Sequence, residues 1–412
     1  EPYRRQRQMC IRDSSDCYTE AMKKPTIAVI FGSRSTEHDI SVLTAIGSVI
    51  KPLELSKKYH IFPVYISKSG AWYIGQQFKD IKTFQGTKLE DVLAKASSVT
   101  LSLDNGLRLI EHARFGRLEH RIDVVFPALH GTHGEDGEIM ALCELANVAY
   151  VGCDVEASVI AMDKVLAKQV AIAHGIKTPK FISFTKRDYQ ENSQLFQKQI
   201  NQELQYPLFV KPAHLGSSIG ITRVTSKNDL ANAIEVALHY DTKALVEEGV
   251  ENLIEITLPI LGNDELTPAL LEEPLLKSED FFDFETKYMQ GGKGKGGAKA
   301  QGGKQGSQGY SRIPAELPKG LYELAEALGV KVYRALGCTG MARVDMLVDS
   351  QAKEIYFNEV NPLPGSLYAH NFAQAGISNV ALVTTLVELA EERFKKRQAI
   401  TTSFSTNYLQ QF

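Results

Sequence analysis

The chain has 412 residues, 43% of them hydrophobic and 23% charged, with a formal net charge of −3. That length buries a sizeable core and fits two or three domains. The near-neutral charge gives no electrostatic case for nucleic acid or an anionic membrane surface, and no apolar run approaches the roughly 20 residues needed to span a bilayer. Cys10, Cys17, Cys143, Cys153 and Cys338 are odd in number and lack CxxC spacing, which fits a reduced, cytoplasmic protein rather than a disulfide scaffold or a zinc site.

Residues 1–21 read as a leader foreign to the fold. They are basic and polar, without the apolar core of a signal peptide, and residues 7–13 resemble a translated sequencing-adapter remnant. Thr26-Ile27-Ala28-Val29-Ile30-Phe31 is a short unbroken apolar run, as in a strand buried on both faces of a parallel sheet. It leads through a turn into a helical pattern over about 38–53, and Glu37 stands where it can cap that helix or hold a ligand. Further strands are predicted over 60–66 and 122–127. The second ends in His130-Gly131-Thr132-His133-Gly134-Glu135-Asp136-Gly137, ahead of a helix through 147. Alternating strands and helices predict an open parallel-sheet α/β domain over 22–153, with functional loops at the strands' carboxyl ends. His130 and His133, lacking further nitrogen or sulfur ligands nearby, make a poor zinc pair.

A helical pattern over about 156–174 carries Met162-Asp163-Lys164, whose lysine on its own reads as a surface charge. Strands over 180–184, 207–212, 219–224 and 243–247, with a helix over 228–239, predict a small α+β unit spanning 154–246. Within it Phe209-Val210-Lys211-Pro212 runs into Gly216-Ser217-Ser218 and back into a strand. Glycine lets a backbone approach a ligand, successive turn N–H groups form an anion-binding concavity, and Lys211 adds a compact positive charge. This is not the P-loop pattern, and an ordinary glycine hairpin fits the same residues. Val246-Glu247-Glu248-Gly249-Val250 reads as a linker bearing solvated acids, or as one whose backbone matches a purine edge. Glu255, on the next strand, is placed to accept ribose hydroxyls.

Strands over 254–261 and 268–272, a helix over 316–336 and a terminal helix over 378–396 predict a last unit over 247–400, before a tail at 401–412. Residues 289–309 hold nine glycines, four lysines and no acidic residue. Such a composition cannot bury a core and predicts a mobile flap over 287–313; with no aromatic for base stacking, an RNA contact is the weaker reading. The segments 339–348 and 353–360 predict an antiparallel hairpin. Alternation puts Glu359 and Asn361 on one face, with Asp345 able to meet them from the partner strand. Two carboxylates and an amide oxygen are hard ligands that leave room for water and phosphate, as magnesium prefers. Alone, the triplet fits a solvated acidic hairpin better; the rest of the chain reverses that preference.

In order and spacing these pieces resemble the D-alanine–D-alanine ligases of the ATP-grasp superfamily. The residues that carry the likeness are the Gly32-to-Ser41 turn, the His130-to-Gly137 loop, Met162-Asp163-Lys164, Lys211-Pro212 with Gly216-Ser217-Ser218, and Glu247 to Val250. Glu285-Thr286-Lys287-Tyr288, Arg343 to Met346 and Asn358 to Gly365 complete the set, over about residues 25–395. The resemblance implies an N-terminal α/β domain followed by a two-lobed α+β ATP-grasp fold. It implies an ATP-dependent, ADP-forming enzyme that joins two D-alanines through an acyl phosphate for peptidoglycan precursors.

By the same resemblance, Lys164, Lys211 and Lys287 meet the ATP phosphates, Glu247, Glu248 and Val250 the adenine, and Glu255 the ribose. Asp345, Glu359 and Asn361 hold two magnesium ions, replaceable by manganese, with Glu359 bridging. Glu37 grips the first D-alanine's ammonium and connects through Ser217 to Tyr288, and His130 lies beside that substrate. Arg343 and the N–H of Gly365 stabilise the oxyanion. Ser366 or His370 meets the second substrate's carboxylate; here Ser366-Leu367-Tyr368-Ala369-His370 departs from the family's common serine–leucine ending. Tyr288 favours D-alanine over D-lactate as acceptor. The partners implied are two D-alanines, with no nucleic acid and no membrane, in a cytoplasmic homodimer. The competing readings are a sister ligase using D-serine, D-lactate or another acceptor, and a non-catalytic ATP-binding regulator. The joint presence of both lysines, three metal-ligand positions and Arg343 speaks against the regulator.

Overall fold

The computed structural model describes residues 24–113, 116–275, 311–402, 406 and 408–411. The leader at 1–21, Lys287, Tyr288 and the glycine- and lysine-rich stretch 289–309 lie outside the described residues.

Three sheets carry the fold. The first has eight strands: β1 (Thr26–Gly32), β2 (His60–Ile66), β3 (Trp72–Ile74), β4 (Ser97–Ser102), β5 (Arg108–Ala113), β6 (Gly116–Arg121), β7 (Val124–Pro127) and β8 (Ala149–Tyr150). Their order is β6-β5-β4-β3-β2-β1-β7-β8. The half formed by β2, β1, β7 and β8 is parallel, and the apolar run Ile27 to Phe31 is wholly buried at its centre. The other half is antiparallel and goes beyond the parallel domain expected from sequence. Its outer strand β6 is exposed over most of its length, so it carries no buried-strand signal to read.

The second sheet is antiparallel, with β9 (Phe181–Thr185), β10 (Leu208–Pro212), β11 (Thr222–Val224) and β12 (Lys243–Glu248) in the order β11-β10-β12-β9. Helices Lys186–Glu203 and Leu230–Tyr240 share its core. The first of these helices was not expected, because it buries only Tyr189 and Ile200 fully; its sequence signal is the capping box of Thr185 and Asp188. The third sheet, also antiparallel, contains β13 (Leu253–Gly262), β14 (Leu266–Pro268), β17 (Met341–Asp349) and β18 (Glu354–Asn361) in the order β14-β13-β17-β18. Strands β15 (Glu273–Pro274) and β16 (Ser311–Arg312) form a separate pair.

Three helices cross the unit boundaries drawn from sequence. Val155–Met162 and Lys164–Ala173, grouped above with the central unit, bury Ala157, Ala161, Ala167 and Ala171 in the core of the third sheet with Ile256, Leu258 and Val344. The terminal helix Asn379–Gln398 returns to the first sheet, where Leu382, Val383, Leu386 and Val387 join Val29, Phe31 and Phe126. Among the described residues no single helix is long and apolar enough to cross a membrane.

Candidate active site

Helix Lys164–Ala173 lies between the second and third sheets and supplies lysines to both. Asp163 caps it, its Oδ1 accepting from the N–H of Val165 at 2.9 Å and of Leu166 at 3.2 Å. Lys164 reaches Glu359 Oε2 of β18 at 3.1 Å and donates to the Leu215 carbonyl at 2.6 Å. One turn on, on the same face, Lys168 is wholly buried with its Nζ 2.9 Å from Glu247 Oε2 of β12. The other Glu247 oxygen takes the Lys211 ammonium. In the register of β10 on β12, Phe209 faces Glu247 and Lys211 faces Leu245, so Glu247 and Lys211 are diagonal neighbours on one face. Lys211 also donates to Asn358 Oδ1 at 3.3 Å, across to the third sheet.

These contacts set the charges. Burial would raise the carboxyl pKa of Glu247, but Lys168 and Lys211 hold it down at about 2. Burial likewise opposes ionisation of Glu359, and Lys164, Lys211 and Arg343 outweigh it, again to about 2. Lys211 is raised, its burial outweighed by Glu247 and Glu359, whereas burial wins at Lys168 and lowers it. The cluster is therefore a preset field of cations around two ionised acids, with Glu255 close enough to act on Lys211.

The β17–β18 hairpin presents its polar residues to this field by means of a bulge. Asp345 pairs with Glu359 and Arg343 with Asn361, but Met346 pairs with Phe357, leaving Asn358 as the extra residue. Phe357 therefore turns with Met346 into the core, while Glu359 and Asn361 face the site with Asp345. Arg343 grips Asp345 with two bonds, Nε to Oδ1 at 2.7 Å and Nη2 to Oδ2 at 2.5 Å; the Asn361 amide donates to the same carboxylate at 3.1 Å. Tyr368 covers the guanidinium, with Cζ 5.0 Å from its ring centroid. The three oxygen donors are a hard set that fits magnesium.

On the first sheet's side, the Glu37 carboxylate accepts from the Ser217 hydroxyl. Burial, then the nearby Glu135, raise its pKa, so it lacks a full counter-charge. Gly131 packs against it with φ +68°; a Cβ there would come 2.7 Å from Glu37 Oε2. Ser217 and Ser218 have φ of +53° and +59°, turning the Gly216 loop sharply beside Glu37. His130 is buried with its Nε2 2.9 Å from Thr44 Oγ1. His133 instead turns outward to Asp136 and Glu138, so the two histidines form no pair.

Beyond β18 the chain makes a left-handed turn: Ser366, Leu367 and Tyr368 have φ of +52°, +55° and +47°. Three consecutive non-glycine residues there cost on the order of 1–3 kcal/mol each, the kind of strain that gathers at functional sites. Gly365 itself has no positive φ, and among the described residues a Cβ would meet only Ile40 Cγ2, at 3.9 Å. Neither backbone conformation nor the described neighbours require that glycine. His370 Nε2 lies 2.9 Å from Glu272 Oε2, and Asn371 donates to the same oxygen at 3.1 Å. Ser366 is engaged through its backbone, its N–H donating to Thr44 Oγ1 at 2.9 Å.

The structure thus brings together Lys164, Lys211, Glu247, Glu255, Arg343, Asp345, Asn361 and Glu359, with Glu37 and Ser217 adjoining. The Glu247 carboxylate faces Lys168 and Lys211. Glu248 accepts from the Gln205 N–H at 2.9 Å, and half-buried Val250 lies in the link from β12 to β13. Lys287 and Tyr288 lie outside the described residues. Sequence reasoning missed Lys168, although its i+4 spacing from Lys164 was a usable signal. It also missed Glu272, Asn358 and Thr44, which no local pattern marks.

A family model described as D-ala D-ala ligase N-terminus matches residues 26–153, and one described as D-ala D-ala ligase C-terminus matches 170–388. The D-alanine--D-alanine ligase of Chloroherpeton thalassium is 37% identical over 388 residues, covering 92% of this chain and 99% of that protein. Among solved structures, the VanG D-Ala:D-Ser ligase of Enterococcus faecalis superposes with a TM-score of 0.73 at 33% identity, over 89% of this chain and 100% of that one. The D-alanine-D-alanine ligase of Coxiella burnetii gives 0.72 at 26% identity, over 92% and 97%. With the resemblance matched along both halves, the chain belongs to the D-ala D-ala ligase family.

Proposed function

We propose that the protein joins two D-alanines, with conversion of ATP to ADP and phosphate, to supply the dipeptide for peptidoglycan. The observation that carries this reading is the meeting of Lys164 and Lys211 with Glu359, opposite Asp345 and Asn361 and beside the Glu37–Ser217 pair. A carboxylate oxygen of the first D-alanine attacks the γ-phosphorus and ADP leaves. Such transfer is governed by positioning and charge neutralisation, which the lysines provide. Asp345, Glu359 and Asn361 would hold magnesium, two ions on our reading, which supplies further positive charge at the phosphates. Glu37 holds the first substrate's ammonium; the added charge offsets the burial that now raises its pKa.

The second D-alanine's amine then attacks the acyl carbon, phosphate leaves, and negative charge passes through the acyl oxygen. Arg343 and the Gly365 N–H meet that oxygen, donors of a kind worth about 2.7–4 kcal/mol each in other enzymes. We assign the acceptor's carboxylate to the region of Ser366 and His370, and the adenine to the Glu248–Val250 link. A cytoplasmic location is proposed because the reaction draws on ATP, and a homodimer because the resemblance implies one. The similarity to a D-Ala:D-Ser ligase keeps D-serine as the second reading of the acceptor. Product analysis with D-alanine alone, then with equimolar D-serine or D-lactate added, tests the assignment. We expect D-alanyl-D-alanine as the main product in each mixture; a predominant mixed product would replace the acceptor.

A further inference from the structure

We propose that Thr44 is a positioning residue that holds the oxyanion turn and the His130 wall of the substrate pocket in register. The inference rests on the ligase reading above, and goes further by assigning a role to a hydroxyl that touches no substrate.

Thr44 sits where the helix beginning at His38 changes from α (His38–Leu43) to π (Thr44–Ile50), a local widening that often accompanies functional sites. Its side chain is wholly buried. Its Oγ1 lies 2.9 Å from the Ser366 N and 2.9 Å from His130 Nε2, groups 322 and 86 positions away. A hydroxyl has one proton and two lone pairs. The Ser366 N–H takes a lone pair. Among the described residues, the remaining hydrogen-bond partner is His130 Nε2, which therefore receives the proton. His130 then carries its own proton on Nδ1, the nitrogen 4.0 Å from Glu135 Oε1. One hydroxyl thus sets the imidazole's tautomer and anchors the turn.

The turn needs an anchor. Ser366, Leu367 and Tyr368 occupy a backbone region that side-chain-bearing residues rarely adopt. The Leu367 N–H donates to the Pro364 carbonyl at 2.9 Å, and the Ser366 N–H is the peptide group next to the Gly365 N–H assigned to the acyl oxygen. Without the Thr44 acceptor, the Ser366 N–H loses the part-buried bond that ties the turn to the first sheet's helix, and the Gly365 N–H loses its aim. Among the described residues Thr44 has no bond to Lys164, Lys211 or Glu247, so nucleotide binding is insulated from this effect.

The test compares Thr44→Val, which keeps the shape and removes the hydroxyl, with Thr44→Ser, which keeps the hydroxyl. In the full chain, Thr44→Val should lower kcat about 10- to 100-fold, less than the roughly 100- to 1,000-fold of deleting an oxyanion donor outright. The KM for ATP should stay within about twofold, and Thr44→Ser should restore kcat to within about threefold of the parent. A kcat for Thr44→Val within twofold of the parent would overturn the proposal. So would a serine variant as impaired as the valine one, or an ATP KM that rises in step with the loss of kcat. If Thr44→Val does not fold, ¹⁵N NMR of the histidines in the parent protein decides: a proton on His130 Nδ1 is expected, and one on Nε2 alone refutes the assignment. Absence of D-alanine-dependent ADP release in the parent would defeat the ligase reading instead, and leaves the tautomer measurement to judge Thr44 separately.

Discussion

Glu37 is a buried carboxylate whose described partner is a hydroxyl rather than a cation, and its raised pKa follows from that. A site that waits for an ammonium should look like this, with the counter-charge arriving as substrate. Gly131 keeps the space beside it. Because φ is +68° and a Cβ would press to 2.7 Å from Glu37 Oε2, Gly131→Ala both strains the loop and displaces the carboxylate. Steady-state kinetics should show kcat/KM for D-alanine falling at least about tenfold, with the KM for ATP changed less than threefold, as expected of a small misplacement at a substrate-positioning group. An alanine variant with unaltered D-alanine kinetics would remove Glu37 from the substrate's path. The glycine and the acid were both legible in the sequence as loop residues at strand ends. The pairing of Glu37 with Ser217 was available only through resemblance, since 180 positions separate them.

At the scale of elements, helix Lys164–Ala173 acts as a charged wedge. Lys164 serves the third sheet and Lys168 the second, and Glu247 is the hub on which Lys168 and Lys211 meet. Removing the hub leaves two buried ammonium groups without their shared counter-charge, whereas removing Lys168 leaves a balanced Lys211–Glu247 pair. We therefore expect Glu247→Gln to cost about 3–5 kcal/mol in urea unfolding, and Lys168→Met to be within about 1 kcal/mol of the parent. Equal costs for the two variants would mean that the charges are not coupled as described. The sequence disclosed the hairpin and its acidic face, because β-branched residues and alternation are local signals. It did not disclose the bulge at Asn358, which depends on the partner strand's register. Helix Lys186–Glu203 escaped notice for a similar reason: a largely exposed helix leaves too few apolar positions to make a period.

For the molecule as a whole, the site exists only because distant segments are tied together. The terminal helix closes the first sheet's core, and its Arg393 donates to the carbonyls of Tyr150 at 2.8 Å and Gly152 and to Thr339 Oγ1 at 2.6 Å. Lys211 to Asn358, Lys164 to Glu359 and Ser366 to Thr44 then bind the three sheets around one cleft. Unit boundaries drawn along the chain missed this, because helices from one segment complete the core of another. The central claim is that the acids of the hairpin and the lysines of the other lobe work on one nucleotide. The most direct measurement is D-alanine-dependent ADP release at saturating ATP and magnesium, for the parent and for Glu359→Gln. We expect steady release from the parent and a loss of at least about 100-fold in the variant, since the substitution removes the charge proposed to hold magnesium during phosphoryl transfer. Turnover by Glu359→Gln at the parental rate would contradict it.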